Sequence, residues 1–168
     1  MKQFLCLFLI VIFSCEKDDI CADTVQTTPR LVIEFYDLTA PDNVLAVAGL
    51  FARGLDSGNA EGVPINNEVV FTRSKISLPL KTDGSNETEF ILFKNYDVVD
   101  GVESGNRDTI KITYNTENVY VSRACGYKTN FEILTFSITE DSDQWMRNSD
   151  IIIYNITNEN EIHVKIFH

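Results

Sequence analysis

Four cysteines carry the most distinctive chemistry of this 168-residue chain, because a thiolate can be acylated, oxidised or bound to a metal. They are Cys6, Cys15, Cys21 and Cys125. Cys15 and Cys21 stand six positions apart in the stretch FSCEKDDICAD, with an acidic cluster between them. Neither Cys21 nor Cys125 belongs to a C-x-x-C pair, the spacing typical of zinc sites. The sequence therefore favours covalent thiol chemistry over metal binding.

The segment before Cys15, MKQFLCLFLIVIFS, is short and apolar. Lys2 is followed by an uninterrupted apolar run over residues 4–13 and then by the small residue Ser14. A helix needs about 20 apolar residues to cross a bilayer, so this run is too short to span one. A charged start, an apolar centre and a small residue at the end are typical of an export signal. We predict that residues 1–14 are a signal peptide.

The end of this run, IFSC, resembles the lipobox of bacterial lipoproteins, with Ile12, Ser14 and Cys15 in the expected places. Phe13 departs from the commonest pattern, which has a small residue there. The resemblance implies that the sulfur of Cys15 takes up a diacylglycerol and that Cys15 becomes the first residue of the mature chain. Two or three acyl chains on one residue would anchor the protein firmly in a membrane.

The next residues, CEKDDI, resemble the export signal of lipoproteins that Bacteroidota display on the cell surface. Lys17, Asp18 and Asp19 carry that resemblance, which implies an outer-membrane lipoprotein facing the cell surface. The alternative is a solvated charged linker on a lipoprotein that faces the periplasm. In either case residues 15–28 are expected to be the lipidated cysteine and its acidic tether.

The charge balance limits the partners. The chain has 14 Lys and Arg residues against 25 Asp and Glu, for a net charge of −11 that becomes −12 when Lys2 is removed with residues 1–14. Such a charge opposes binding to nucleic acid and adhesion of the protein surface to anionic lipid. The 154 residues that remain suffice for one domain with its own core.

The cysteines then have separate roles. If Cys6 leaves with the signal and Cys15 is acylated, Cys21 and Cys125 are the remaining thiols of an exported protein in an oxidising compartment. We predict an internal disulfide between them. Closing a loop of about 100 residues would stabilise the fold by about 4–5 kcal/mol in the chain-entropy model. Buried free thiols and an intermolecular bond are the alternatives.

The rest of the chain predicts strands, because β-branched and aromatic residues alternate with polar ones between clusters of turn residues. We expect about nine strands in an antiparallel β-sandwich over residues 29–168, with immunoglobulin-like or jelly-roll wiring and a β-barrel as the alternative. Residues 53–68 and NTEN (115–118) are expected to be a loop and a turn. The predicted strands are 30–38, 44–52, one bent or two short strands in 69–80 with Pro79 at a sheet edge, 88–95, 108–115, 119–127, 130–140, and a closing hairpin of 150–157 with 161–168.

The segment VSRACGYKTNFE (121–132), taken with SCEKDDIC and TTPRLVIEFYD, resembles a family of small Bacteroidota lipoproteins catalogued only as a domain of unknown function. The resemblance extends from Cys15 to about Phe136. It implies a lipoprotein with a β-rich domain, and it implies no activity.

Arg123, Tyr127 and Lys128 are candidate site residues, because they flank Cys125 where a strand is expected to meet a turn at Gly126. If the strand continued, Arg123, Cys125 and Tyr127 would share one face and could form a small polar pocket beside the disulfide. The alternative is a purely structural strand, locked by Cys125, with Arg123 paired to an acid.

Three further features are candidates of lower rank. His163 and His168 are expected on opposite faces of the last strand, where they cannot bind one metal together. Trp145 is expected in the core, the alternative being an exposed platform for a sugar ring. The loop NYDVVDGVESGNRD offers oxygen ligands for calcium, but its spacing does not match an EF-hand, and a plain hairpin loop is favoured. Its acids are Asp97, Asp100, Glu103 and Asp108.

No glycine-rich phosphate loop and no set of nucleophile, base and acid is recognisable in the sequence. We therefore expect no catalytic residue, no cofactor and no metal. The expected function is that of a cell-envelope lipoprotein with a non-catalytic binding or structural β-domain, whose partner is another envelope protein or an extracellular ligand. The alternative is a surface glycan- or ligand-binding module, which predicts a row of exposed aromatic residues on one sheet face.

Overall fold

A computed structural model of the chain describes residues 20–22, 25, 27–56, 58–65 and 70–168. The predicted signal peptide, Cys15 and the cluster of Lys17, Asp18 and Asp19 lie outside the described residues. Within the described ranges there is no helix long and apolar enough to cross a membrane.

The described part of the chain forms eleven strands in two sheets, which confirms the predicted all-β sandwich. The smaller sheet has the order β5-β1-β11-β9, and the larger has the order β10-β8-β7-β6-β2-β3 with β4 also paired to β2. The sheets do not close into a barrel, and β1 runs parallel to β11 whereas the other pairs are antiparallel. The strands are β1 (Leu31–Tyr36), β2 (Val47–Asp56), β3 (Asn59–Pro64), β4 (Phe71–Arg73), β5 (Lys75–Leu78), β6 (Glu87–Val99), β7 (Val102–Ser122), β8 (Gly126–Ile138), β9 (Asn148–Ile151), β10 (Asn155–Ile156) and β11 (Val164–Phe167).

The core lies between the two sheets and follows from period-2 alternation. In β7, Ile110, Ile112 and Tyr114 are fully buried, while the residues between them are partly exposed. In β1, Leu31 and Ile33 belong to the same core cluster. The alternation therefore decides which face of each strand points inward.

The predicted turn at residues 115–118 is wrong. Those residues continue β7 and pair with residues 129–132 of β8, and the hairpin turn lies at residues 123–125 instead. Here the β7–β8 hairpin extends past the sandwich, so residues 115–118 are exposed and no core requires apolar side chains. A polar strand of this kind has the composition of a turn.

The predicted loop at 53–68 is also wrong in part, because β2 continues to Asp56 and β3 pairs back onto it. β3 is an edge strand with almost every residue exposed, and edges tolerate the Gly, Asn and Pro that suggested a loop. Segment 69–80 does contain two short strands, β4 and β5, and β5 is a sheet edge as Pro79 predicted. The closing hairpin is correct only in part: β9 and β11 pair, but twelve residues lie between them, and β10 within that segment pairs with β8 in the larger sheet.

The two histidines serve separate structural roles. His163 is buried, and its Nδ1 accepts a hydrogen bond from the Val32 N–H at 2.9 Å. His168 lies with its Nδ1 3.3 Å from Lys94 Nζ and its Nε2 3.3 Å from the Leu45 carbonyl oxygen. Burial lowers the pKa of both imidazoles below the usual 6.5. Each ring is thus held in its neutral form, since a protonated Nδ1 has no lone pair to accept with.

We expect acid to destabilise the fold through these two histidines. Their folded pKa values lie below the unfolded value, so the unfolded chain binds protons first as the pH falls below about 6.5. Each histidine should lower the free energy of unfolding by at most about 1.4 kcal/mol per pH unit between 6.5 and its folded pKa. Urea unfolding between pH 7.5 and 5.5 measures this slope.

The variants His163→Gln and His168→Gln should each remove that histidine's contribution to the pH dependence of the free energy of unfolding, whatever they do to stability at neutral pH. Comparing slopes rather than absolute stabilities separates titration from lost packing. An unchanged slope in both variants would show that neither imidazole is held neutral by the fold.

Candidate functional site

The predicted disulfide between Cys21 and Cys125 is present, with an S–S distance of 2.06 Å and Cα atoms 4.8 Å apart. It joins positions 104 residues apart in the sequence. Cys125 is the last residue of the turn between β7 and β8, and Gly126 after it adopts a φ of 69°, in the left-handed region that favours glycine. The bond therefore fixes the N-terminal segment to the end of the longest hairpin.

We call residues 118–131, which make up the end of the β7–β8 hairpin, the hairpin tip. Tyr120 and Tyr127 face each other across it in register, with ring centroids 5.4 Å apart and planes at 68°. They are 58% and 71% exposed. The N-terminal segment runs alongside, where Thr28 Oγ1 accepts a hydrogen bond from the Thr129 N–H at 3.0 Å.

The structure keeps two residues of the candidate polar pocket together and separates Arg123 from them. β7 ends at Ser122 and β8 begins at Gly126, so the strand does not continue and Arg123 does not share a face with Tyr127. Tyr127 and Lys128 line a cavity of about 190 Å³ beside the disulfide. Arg123 is exposed in the turn. Lys128 Nζ donates to the Thr157 carbonyl oxygen at 3.1 Å, which ties β8 to the segment after β10.

The acids of the candidate calcium loop are not brought together. Asp100 lies in the β6–β7 turn, and Asp97 Oδ1 accepts from its neighbour, the Val98 N–H. Glu103 pairs with Arg53, and Asp108 is buried further along β7. In the described ranges no three Asp, Glu, His or Cys side chains are grouped so as to hold a metal ion.

Sequence reasoning missed a cluster around Arg53 on the outer face of the larger sheet. Arg53 is 8% exposed, and its guanidinium carbon lies 5.4 Å and 5.6 Å from the ring centroids of Phe51 and Phe93. It forms an ion pair with Glu103, which also accepts from the Tyr96 hydroxyl at 3.0 Å. These donors hold the pKa of Glu103 below its usual range. The alternation of Phe51 with Arg53 was the available signal, but Arg53 fell inside a predicted loop.

Asp108 is the most deeply buried carboxylate of the described chain, with no exposed surface. Its Oδ2 accepts hydrogen bonds from the backbone N–H groups of Trp145 at 2.9 Å and Met146 at 2.7 Å. Its Oδ1 has no hydrogen-bond partner. Burial raises the pKa of Asp108, and the nearby charges of Asp141 and Asp143 raise it further. This carboxyl holds the segment before β9 against the core.

Trp145 itself is 6% exposed and donates from Nε1 to the Leu92 carbonyl oxygen at 3.3 Å. The core position predicted for it is therefore confirmed, and the sugar platform on Trp145 is excluded. The other exposed aromatic residues do not form a row with Tyr120 and Tyr127: Phe71 lies on β4, and Tyr154 lies beside Ile133, six residues along β8 from Tyr127.

An open groove of about 660 Å³ lies between the β2–β3 hairpin and residues 81–89. Its lining hydroxyls are engaged elsewhere: Ser85 Oγ donates to the Glu87 carbonyl oxygen, and Thr88 Oγ1 lies 2.7 Å from the Tyr114 hydroxyl. Lys81 in the same groove pairs with Asp56 at 3.2 Å. The groove contains acids and hydroxyls but no histidine or cysteine that would activate a nucleophile.

Substitutions at Asp108 should distinguish its role as a hydrogen-bond acceptor from any role of its negative charge. Asp108→Ala leaves two buried N–H groups without an acceptor, so we expect the free energy of unfolding to fall by about 2–4 kcal/mol. Asp108→Asn keeps an acceptor oxygen without a charge and should cost clearly less. Urea unfolding at pH 7 measures both, and an equal loss in the two variants would show that the fold requires the charge.

The pH dependence of the free energy of unfolding, compared between the wild type and Asp108→Asn, gives a second test. Because the folded pKa of Asp108 is raised, the wild type should lose stability relative to Asp108→Asn as the pH rises from about 3.9 through the folded pKa. A constant difference between the wild type and Asp108→Asn across that window would contradict the raised pKa.

Comparison with known proteins gives one informative result. Neither a curated protein nor a solved structure matches the chain. A family model described as a family of unknown function, DUF6452, matches residues 45–168. The match contains the hairpin tip with Cys125 and begins after Cys21. Because it spans more than half of the sequence, the protein belongs to this family of unknown function.

Proposed function

We propose that this protein is a cell-envelope lipoprotein, anchored by an acylated Cys15, whose β-sandwich has a non-catalytic binding or structural role. The observation that supports the proposal most strongly is the Cys21–Cys125 disulfide. Such bonds persist in exported proteins and are rare in reducing compartments. Cys21, the first of the two bonded cysteines, follows the lipobox cysteine by only six positions.

The use of the buried polar groups supports a non-catalytic role. His163 and Asp108 each accept hydrogen bonds from backbone N–H groups, and Arg53 is held between aromatic rings and Glu103. All three groups are buried and stabilise local structure, whereas a catalytic group needs access to substrate. Lys17, Asp18 and Asp19 support display on the cell surface, and an orientation toward the periplasm is the alternative.

A second candidate function is a surface module that binds a glycan or another extracellular ligand. The exposed pair of Tyr120 and Tyr127 favours it, because two accessible rings can contact a sugar face. The platform is then limited to these two rings on the hairpin tip.

The lipid anchor is tested by metabolic labelling with an alkyne analogue of palmitate. The wild type should be labelled and should sediment with membranes. Cys15→Ser should lose the label and the membrane fraction, whereas Cys6→Ser, a matched thiol within the signal, should keep both. Labelling of Cys15→Ser at the wild-type level would disprove the anchor.

Surface display is tested by protease treatment of intact cells. The wild type should be cleaved, and the double variant Asp18→Ala/Asp19→Ala should be protected, because it lacks the acidic export signal. Asp141→Ala/Asp143→Ala is the matched control, since it removes two exposed acids outside the tether. If the wild type is labelled with lipid but protected from protease, the anchor stands and the protein faces the periplasm.

A further inference from the structure

The hairpin tip differs in charge from the rest of the molecule. Residues 118–131 contain Arg123 and Lys128 but no Asp or Glu, in a chain whose net charge is −11. The opposite end of β7 has the reverse character, because Asp97, Asp100 and Glu103 are all exposed around the β6–β7 turn. The hairpin tip itself is therefore cationic and the β6–β7 turn is acidic, while Glu16, Asp18, Asp19 and Asp23, which flank Cys21 in the sequence, add negative charge to the segment bonded to the tip.

The tip is also apolar where it is most exposed. Tyr120 and Tyr127 present amphipathic rings to solvent, and Ile20, next to the disulfide, is 82% exposed. Tyrosine is enriched at membrane–water interfaces, because its ring is apolar and its hydroxyl stays hydrated. Arg123 is exposed beside them in the turn, where a guanidinium can bind a phosphate through two N–H groups.

Covalent connections limit how far the tip can be from the acyl chains. Cys21 follows Cys15 by six positions, so their Cα atoms are at most about 22 Å apart even in a fully extended chain. The disulfide adds only the 4.8 Å between the Cα atoms of Cys21 and Cys125. By contrast, β7 has 21 residues, which at about 3.3 Å each places its other end about 70 Å along the strand.

We propose that the hairpin tip docks on the lipid headgroups of the membrane that holds the anchor. Tyr120, Tyr127 and Ile20 insert at the headgroup level, and Arg123 pairs with lipid phosphates. This proposal rests on the acylation of Cys15 proposed above. Docking orients the domain, because the anchor and the Cys21–Cys125 bond hold the tip near the headgroups while lipid phosphates repel the acidic β6–β7 end. The sandwich then stands on the membrane and directs the β6–β7 turn away from it.

Tryptophan fluorescence in vesicles tests the docking. The full-length acylated protein is reconstituted into vesicles of phosphatidylethanolamine and phosphatidylglycerol, with brominated lipid as a quencher. Tyr127→Trp places the probe on the tip, and Val102→Trp places a matched probe at a 69% exposed position of the opposite end. Trp145 is buried in the core and gives a constant background that the wild type measures.

We expect brominated lipid to quench the added Tyr127→Trp emission at least three-fold more strongly than the Val102→Trp emission. The Tyr127→Trp emission should also shift to the blue on reconstitution. Adding Arg123→Glu to Tyr127→Trp should lower the quenching at least two-fold without detaching the protein from the vesicles. Equal quenching at the two probes overturns the docking.

Flotation of the vesicles and mass spectrometry distinguish failure of the docking from failure of the anchor. Acylated protein that floats with the vesicles but shows equal quenching at both probes keeps the lipoprotein and overturns the docking. Protein without acyl chains that does not float overturns the lipoprotein assignment and the docking that depends on it. Both probe positions are exposed, so neither substitution disturbs the core.

Discussion

The sandwich depends on burial of the inner face of β7. This strand pairs with β6 along one side and β8 along the other, and its inward residues Ile110, Ile112 and Tyr114 lie in the core cluster opposite the smaller sheet. Fully burying a side chain of this size contributes about 1.5–3 kcal/mol relative to leaving it exposed. The same strand continues past the core as the hairpin tip, so the position of the tip is set by the core rather than by a flexible loop.

The smaller sheet is completed by a strand that the family match does not include. β1 lies between β5 and β11, and Leu31, Ile33 and Phe35 have no exposed surface. Without β1, the parallel partner of β11 is lost, and the His163 Nδ1 loses the Val32 N–H that it binds. The matched residues 45–168 therefore do not bury their own core, and the folding unit must begin before residue 45.

Sequence patterns predicted the strand segments that pack in the core, and they failed for the strand segments that extend beyond it. Alternation located β7 through Ile110 and Ile112, because a buried face requires apolar residues at every second position. Beyond Tyr114 the strand has solvent on both faces, so polar residues 115–118 suit it and resemble a turn. Counting the cysteines that remain after signal cleavage and acylation predicted the disulfide without any knowledge of strand order. Arg53 was missed because its partners, Glu103 and the aromatic rings, are brought to it by strand pairing across about 40–50 residues.

The disulfide determines which end of the sandwich is attached to the N-terminal segment. The Cys21–Cys125 bond attaches the N-terminal segment at one defined place, the turn that ends the longest hairpin. In the proposed lipoprotein, the segment nearest the acyl group is thereby fixed to the tyrosine-bearing end of the sandwich. If the proposed docking holds, the acidic β6–β7 end, which exposes Val98, Val99 and Val102, is the surface farthest from the membrane.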